Sequence, residues 1–138
     1  MTLDAEVLLP GSAVEATALA LTAPISFWGG VNPKTAEIAD ARHPEYGQRI
    51  AGRVLLIPAT IGSSSAAAIL LELVHAGLAP AAVVLHEPDA ILLLGLIVAR
   101  EMGHPTPIAL RLNARHFAAL HGRQVVISET GSIAVKTG

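Results

Sequence analysis

The chain has 138 residues, room for one domain with a substantial core, and residues 1–138 read as a single unit. Its net charge of −2, its pI near 6.3 and the scatter of its nine Lys and Arg leave no basic stripe for a nucleic-acid backbone. Cysteine is absent, which excludes disulfides, zinc thiolate sites and any iron–sulfur cluster held by this chain alone.

The N-terminal "MTLDAEVLLP" carries Asp4 and Glu6 where a signal peptide carries positive charge, so a cytoplasmic location is expected. "AEVLLPG" and "SAVEATALAL" read as two short strands joined by a Pro-Gly turn. The next stretch, residues 23–49, is rich in Pro and Gly and shows no sustained helical period. "RVLLIPA" and "PAAVVLH" are continuous apolar runs, the pattern of strands covered on both faces. Between them, Ser63 to His75 fits a buried helix closed by Gly77. "EPDAILLLGLIVAREMG" reads as a second helix, with Pro88 early, acidic residues in its first turn and Gly103 after its last. Its apolar core, residues 90–99, is far short of the roughly 20 residues that span a bilayer, so no membrane partner is expected. "TPIALRL" makes a third strand, "NARHFAALHG" a short helix capped by Asn113, and "QVVISETGSIAVK" a terminal hairpin turning at Thr130-Gly131.

Alternation of strand and helix over residues 53–127 predicts a mostly parallel central sheet, and the two ends of the chain, which break that alternation, predict a second β layer. Charged residues make up 14% of the chain, against about 25% in an average soluble domain. With a mean hydropathy of +0.57, some apolar surface should remain outside the core as an interface. None of the six histidines has a metal-ligand spacing. They read as solvated groups, with His43 and His86 near enough to element ends to reach a site.

Two clusters attract chemistry. "PATIGSSSAAAILLEL" runs from strand through glycine into a helix start, where backbone N–H groups and a positive dipole end face the carboxyl edge of the sheet. It matches neither a nucleophile elbow nor a phosphate loop. One serine serving as N-cap is the plainest local reading. "PISFWGGVNP" puts the one tryptophan, Trp28, beside Phe27 and ahead of Gly29 and Gly30, in a loop where a ring over a ligand or a ring folded onto the core are both open.

Taken in order, "PISFWGGVNPKT", "HPEYGQRIAGRVLLIP", "GSSS" before "ILLEL" and "GLAPAAVVLHEPDAILLLGLIVAREM" resemble the small, swivelling component of the aconitase X family, over roughly residues 10–112. The resemblance implies an α/β fold: a swivelling β/β/α domain with a mostly parallel sheet, helices on one side and a second β layer. It also implies a small subunit that closes over an aconitase X-type large subunit and is active only with it. The cofactor expectation is that this chain binds none alone, the iron or iron–sulfur centre lying on that large subunit. Family activities are dehydrations of small hydroxy acids, cis-3-hydroxy-L-proline in bacteria and phosphomevalonate in archaea, and the second helix block favours the former.

By the same resemblance, Ser63 is the general base that takes the proton α to the carboxylate. Ser64, Ser65 and Gly62 are its substrate-binding neighbours, and Ser26, Phe27, Trp28, Gly29, Gly30 and Asn32 belong to the substrate-binding loop. Three positions depart from the family pattern: Ile61 stands where a basic residue is common, Ala67 where another serine is frequent, and Asn32 where Asp is usual. Loss of the cation removes a partner for a phosphate or carboxylate, which disfavours a phosphorylated substrate. Without such a partner, a non-catalytic binding module on the same fold is the competing expectation.

Overall fold

The computed structural model describes residues 2–62 and 64–137. Its strands are β1 (Thr2–Asp4), β2 (Glu6–Leu9), β3 (Val14–Ala20), β4 (Val54–Ile57), β5 (Ala82–Leu85), β6 (Ile108–Arg111), β7 (Gln124–Ile127) and β8 (Ser132–Val135). The helices are α1 (Phe27–Gly30), a single irregular turn, then α2 (Ser65–His75), α3 (Ala90–Glu101) and α4 (Phe117–Leu120).

Strands β3, β4, β5 and β6 run parallel in that order, as continuous apolar runs separated by crossovers require. The order across the sheet is β1-β8-β7-β3-β4-β5-β6-β2, and every pairing outside the parallel block is antiparallel. β7 and β8 form the expected hairpin, turning through Gly131 at φ 93°.

The expected N-terminal hairpin does not form. β2 pairs with β6 and β3 pairs with β4 and β7, so the Pro-Gly segment is a crossing between distant strands. Gly11 explains the route: a Cβ there would lie 2.8 Å from the Ile108 backbone, so only glycine lets the chain pass so close to β6. β1 and β2 are separated by Ala5 alone, yet they pair with opposite edges of the sheet. One extended stretch thus closes the sheet on itself and leaves neither edge open.

Both faces of the parallel strands are buried, with opposite destinations. Leu55, Ile57, Val83 and Leu85 face a core shared with α2, α3 and the 22–52 loop. Val54, Leu56, Ala82 and Val84 face an interior shared with β7, β8 and α4. The architecture is therefore a β/β/α sandwich with α2 and α3 on one side, and α4 covers the closed β side through Phe117 and Leu120. The closest helix contact is between α2 and α3: a Cβ on Gly95 would lie 2.5 Å from the Ala67 carbonyl oxygen.

The local stops and starts follow their side chains. α2 ends in Gly77 at φ 74°, with Leu78 N–H donating to Leu73 O at 2.8 Å. Asn113 Oδ1 accepts from Arg115 N–H at 2.9 Å and opens a 3-10 turn before α4. In α3 the acidic residue lies one step earlier than a first-turn reading places it. Asp89 is the N-cap, accepting from the N–H of Ile91 at 2.9 Å and of Leu92 at 3.1 Å.

Candidate functional site

The two clusters distant in sequence meet at the carboxyl end of β4. Ile25 and Thr60 form an isolated parallel bridge: Ile25 N–H donates to Ala59 O at 3.2 Å and Ile61 N–H to Ile25 O at 2.9 Å. This small extension of the sheet sets the 24–30 loop beside the start of α2. Thr60 Oγ1 also donates to Asp89 Oδ2 at 2.6 Å, tying the serine segment to the start of α3.

Ser63, the expected base, lies outside the described residues. Ser64 is exposed, has helical backbone angles and makes no side-chain cap bond, so the N-cap reading does not hold for it. Ser65 is the first helical residue and is half-buried, two positions later than the expected helix start. Gly62 and Ile61 are exposed, Ile61 at 57%.

The neighbouring loop splits its two aromatic residues. Phe27 is 1% exposed and belongs to the helix-side core, so its ring is a packing element and has no open face for a substrate. Trp28 is 60% exposed. The backbone just after them turns through Gly29 at φ 80°, and Ser26 Oγ donates to Trp28 O at 3.0 Å. Gly30 is buried, and Ala39 N–H donates to its carbonyl at 2.9 Å.

Trp28 and Gly29 form a wall between two cavities. One, of about 470 Å³, is lined by Ser26, Trp28, Gly29, Gly30 and Ile61 together with the 39–42 segment. The other, about 610 Å³ and more open, contains Asn32 and Lys34. Asn32 therefore does not share the cavity of Ser26 and Ile61. Its side chain builds the loop, Oδ1 accepting from Lys34 N–H at 2.8 Å. A separate apolar cavity of about 460 Å³, against Phe117 and His121, contains none of the predicted site residues.

Sequence reasoning missed Asp40 and Arg42, the charged lining of the Ser26–Ile61 cavity. Their backbone is anchored by two neighbouring side chains, those of His43 and Glu45. His43 is buried, its Nδ1 accepting from Glu45 N–H at 3.0 Å and its Nε2 donating to Ala23 O at 3.2 Å. Glu45 in turn accepts from Thr22 N–H at 2.6 Å and Thr22 Oγ1 at 2.8 Å. His43 is thus a satisfied structural residue and not a solvated one. His86 is likewise engaged, its Nδ1 accepting from Ala114 N–H at 2.8 Å.

Among the described residues there is no group of three or more His, Cys, Asp or Glu that could hold a metal ion. No helix is long and apolar enough to cross a membrane among the described residues. The apolar surface expected from composition is present at Trp28 and Ile61 and along α3, where Ile91, Leu94, Val98 and Met102 are exposed.

The sequence pattern of the aconitase X swivel domain matches residues 2–136. The chain belongs to the aconitase X swivel-domain family. It is 52% identical over 86 residues to a cis-3-hydroxy-L-proline dehydratase of Pseudomonas aeruginosa, covering 62% of this chain and 15% of that protein. It is 40% identical over 85 residues to the phosphomevalonate dehydratase small subunit of Methanopyrus kandleri, covering 62% of this chain and 63% of that subunit. The chain thus spans less than two thirds of the length of each of these two relatives. The crystal structure of Thermococcus kodakaraensis aconitase X superposes with a TM-score of 0.82 at 24% identity over 99% of both chains, which supports the fold assignment.

Proposed function

We propose that this chain is the small component of an aconitase X-type hydro-lyase and that it forms half of the site that dehydrates a small hydroxy acid, cis-3-hydroxy-L-proline being the substrate that fits best. The observation that carries this reading is that Ile61, two residues before Ser63, lines one cavity with the Trp28 loop, beside the Ile25–Thr60 bridge. The 52% identity to a cis-3-hydroxy-L-proline dehydratase supports that substrate over a phosphorylated one. So does Ile61, which places an apolar side chain at the mouth of the cavity.

In this reading Ser63 removes the proton α to the carboxylate while the β-hydroxyl departs. A serine hydroxyl is a poor base in water and is activated by desolvation and by nearby positive potential. The start of α2 supplies part of that potential through the positive end of its dipole. Gly62, Ser64 and Ser65 are its neighbours in sequence, and Ser26, Trp28, Gly29 and Gly30 line the cavity that Ile61 shares. An iron or iron–sulfur centre, supplying Lewis acidity to the leaving hydroxyl, would belong to a large subunit. That division leaves this chain to move the proton, shape the cavity and exclude water.

The test is reconstitution with the aconitase X large subunit of the same organism and assay of cis-3-hydroxy-L-proline dehydration. Turnover by the pair and not by either chain alone is expected. A pair that forms a stable complex and dehydrates no hydroxy acid would overturn the reading in favour of a binding module.

A further inference from the structure

We propose that Arg42 and Asp40 are the specificity pair of this site, Arg42 receiving the carboxylate and Asp40 the ammonium of a zwitterionic, amino-acid-type substrate. The inference rests on the proposed function above and adds the residues that choose its substrate.

Asp40 and Arg42 line the same cavity as Ser26, Trp28 and Ile61, and they are the charged side chains of that lining. One cation and one anion make the cavity electrically neutral. A doubly charged phosphate would gain from Arg42 and be opposed by Asp40, whereas a zwitterion satisfies both.

Neither group is consumed by the fold. The Arg42 side chain is 93% exposed, and its guanidinium Nε lies 3.6 Å from Asp40 Oδ1, a loose contact of little intrinsic strength. Asp40 Oδ1 accepts the Arg42 N–H at 2.9 Å to form the turn, and no described residue bonds Oδ2. The backbone beneath them is nevertheless rigidly placed. His43, the next residue, is pinned to Ala23, and Glu45 is pinned to Thr22, immediately before the 24–30 loop that forms the cavity wall. The anchored backbone places both charged heads at the cavity, and neither is committed to a strong ion pair within the fold. Closure of the cavity by a partner would lower the local dielectric and strengthen both contacts.

The experiment uses the reconstituted two-chain enzyme, with L-proline, L-prolinamide and tetrahydrofuran-2-carboxylate as competitive inhibitors. Prolinamide keeps the ammonium and lacks the carboxylate, and the tetrahydrofuran acid keeps the carboxylate and lacks the ammonium. Wild type should prefer proline over each. Arg42→Gln should raise KM for cis-3-hydroxy-L-proline on the order of ten- to a hundredfold, keep kcat within about threefold, and erase the preference for proline over prolinamide. Asp40→Asn keeps the turn acceptor and should erase the preference for proline over the tetrahydrofuran acid. Ile61→Arg, which puts a cation into the lining of the same cavity, should restore most of the affinity lost in Arg42→Gln.

A wild-type pair that turns over no hydroxy acid overturns the proposed reaction and this assignment with it. An active pair whose KM and inhibitor preferences are unchanged in Arg42→Gln and Asp40→Asn overturns the assignment alone. A fall in kcat without change in inhibitor preference also overturns it, since that marks a structural effect.

Discussion

Two helices begin side by side at the carboxyl end of the parallel strands, and their starts are built differently. α3 opens on Asp89, whose Oδ1 takes two backbone N–H groups while Oδ2 takes the Thr60 hydroxyl. α2 opens on Ser64, which makes no side-chain cap bond although it belongs to a run of residues suited to capping. The first start is finished by the chain's own chemistry. The second follows Ile61, which lines a cavity together with the Trp28 loop. The hydrogen bond from Thr60 to Asp89 joins the two starts.

The sharpest way to break this contrast is Ser63→Ala. Turnover of the assembled enzyme should fall by roughly 10²–10⁴-fold, the range for loss of a general base, while the complex still elutes as one species. Retained activity would return the serine run to a purely structural role.

Gly95→Ala attacks the contact on which both starts depend. A methyl group 2.5 Å from the Ala67 carbonyl must push α2 and α3 apart, with a destabilisation of about 1–3 kcal/mol measured by denaturant unfolding. Activity should fall with it, because α2 carries the serine segment.

Asp89→Ala removes the α3 cap and the Thr60 partner together. A loss of about 1–2 kcal/mol, or roughly 3–6 °C in Tm, is expected in a chain of this size. Ser64→Ala sets the opposite end of the scale. With no cap bond to lose, stability should change by less than about 0.5 kcal/mol in the same measurement. A Ser64 variant as damaging as the Asp89 variant would erase the difference between the two helix starts.

Much of this organisation is legible residue by residue. Asn113, Gly77 and Gly131 act within a few residues of themselves, so turn and cap chemistry locates them without knowledge of the fold. The apolar runs of β4 and β5 announce strands buried on both faces, and they are. The Phe27-Trp28 pair marks a special loop, yet the division of labour between the two rings is invisible locally. One ring faces the helix-side core and the other is exposed, and the backbone leaves helical geometry at Trp28, with φ −75° and ψ 110°. Arg42 and Asp40 are illegible for a related reason. They sit in a polar, turn-rich stretch where charges are ordinary, and only the anchoring of His43 and Glu45 to residues some 20 positions earlier sets them against the cavity.

The amino-acid sequence by itself determined the elements: which runs are buried strands, where helices stop, and that no thiol ligand exists to hold a metal. These follow from side-chain periodicity, backbone freedom and composition, which are local properties. Tertiary structure decided the partners. It sent β1 and β2 to opposite edges of one sheet, although a single residue separates them, because pairing energy is gained between strands remote in sequence. It also joined Ile25 to Thr60, and so created a cavity between two loops that have no local reason to meet.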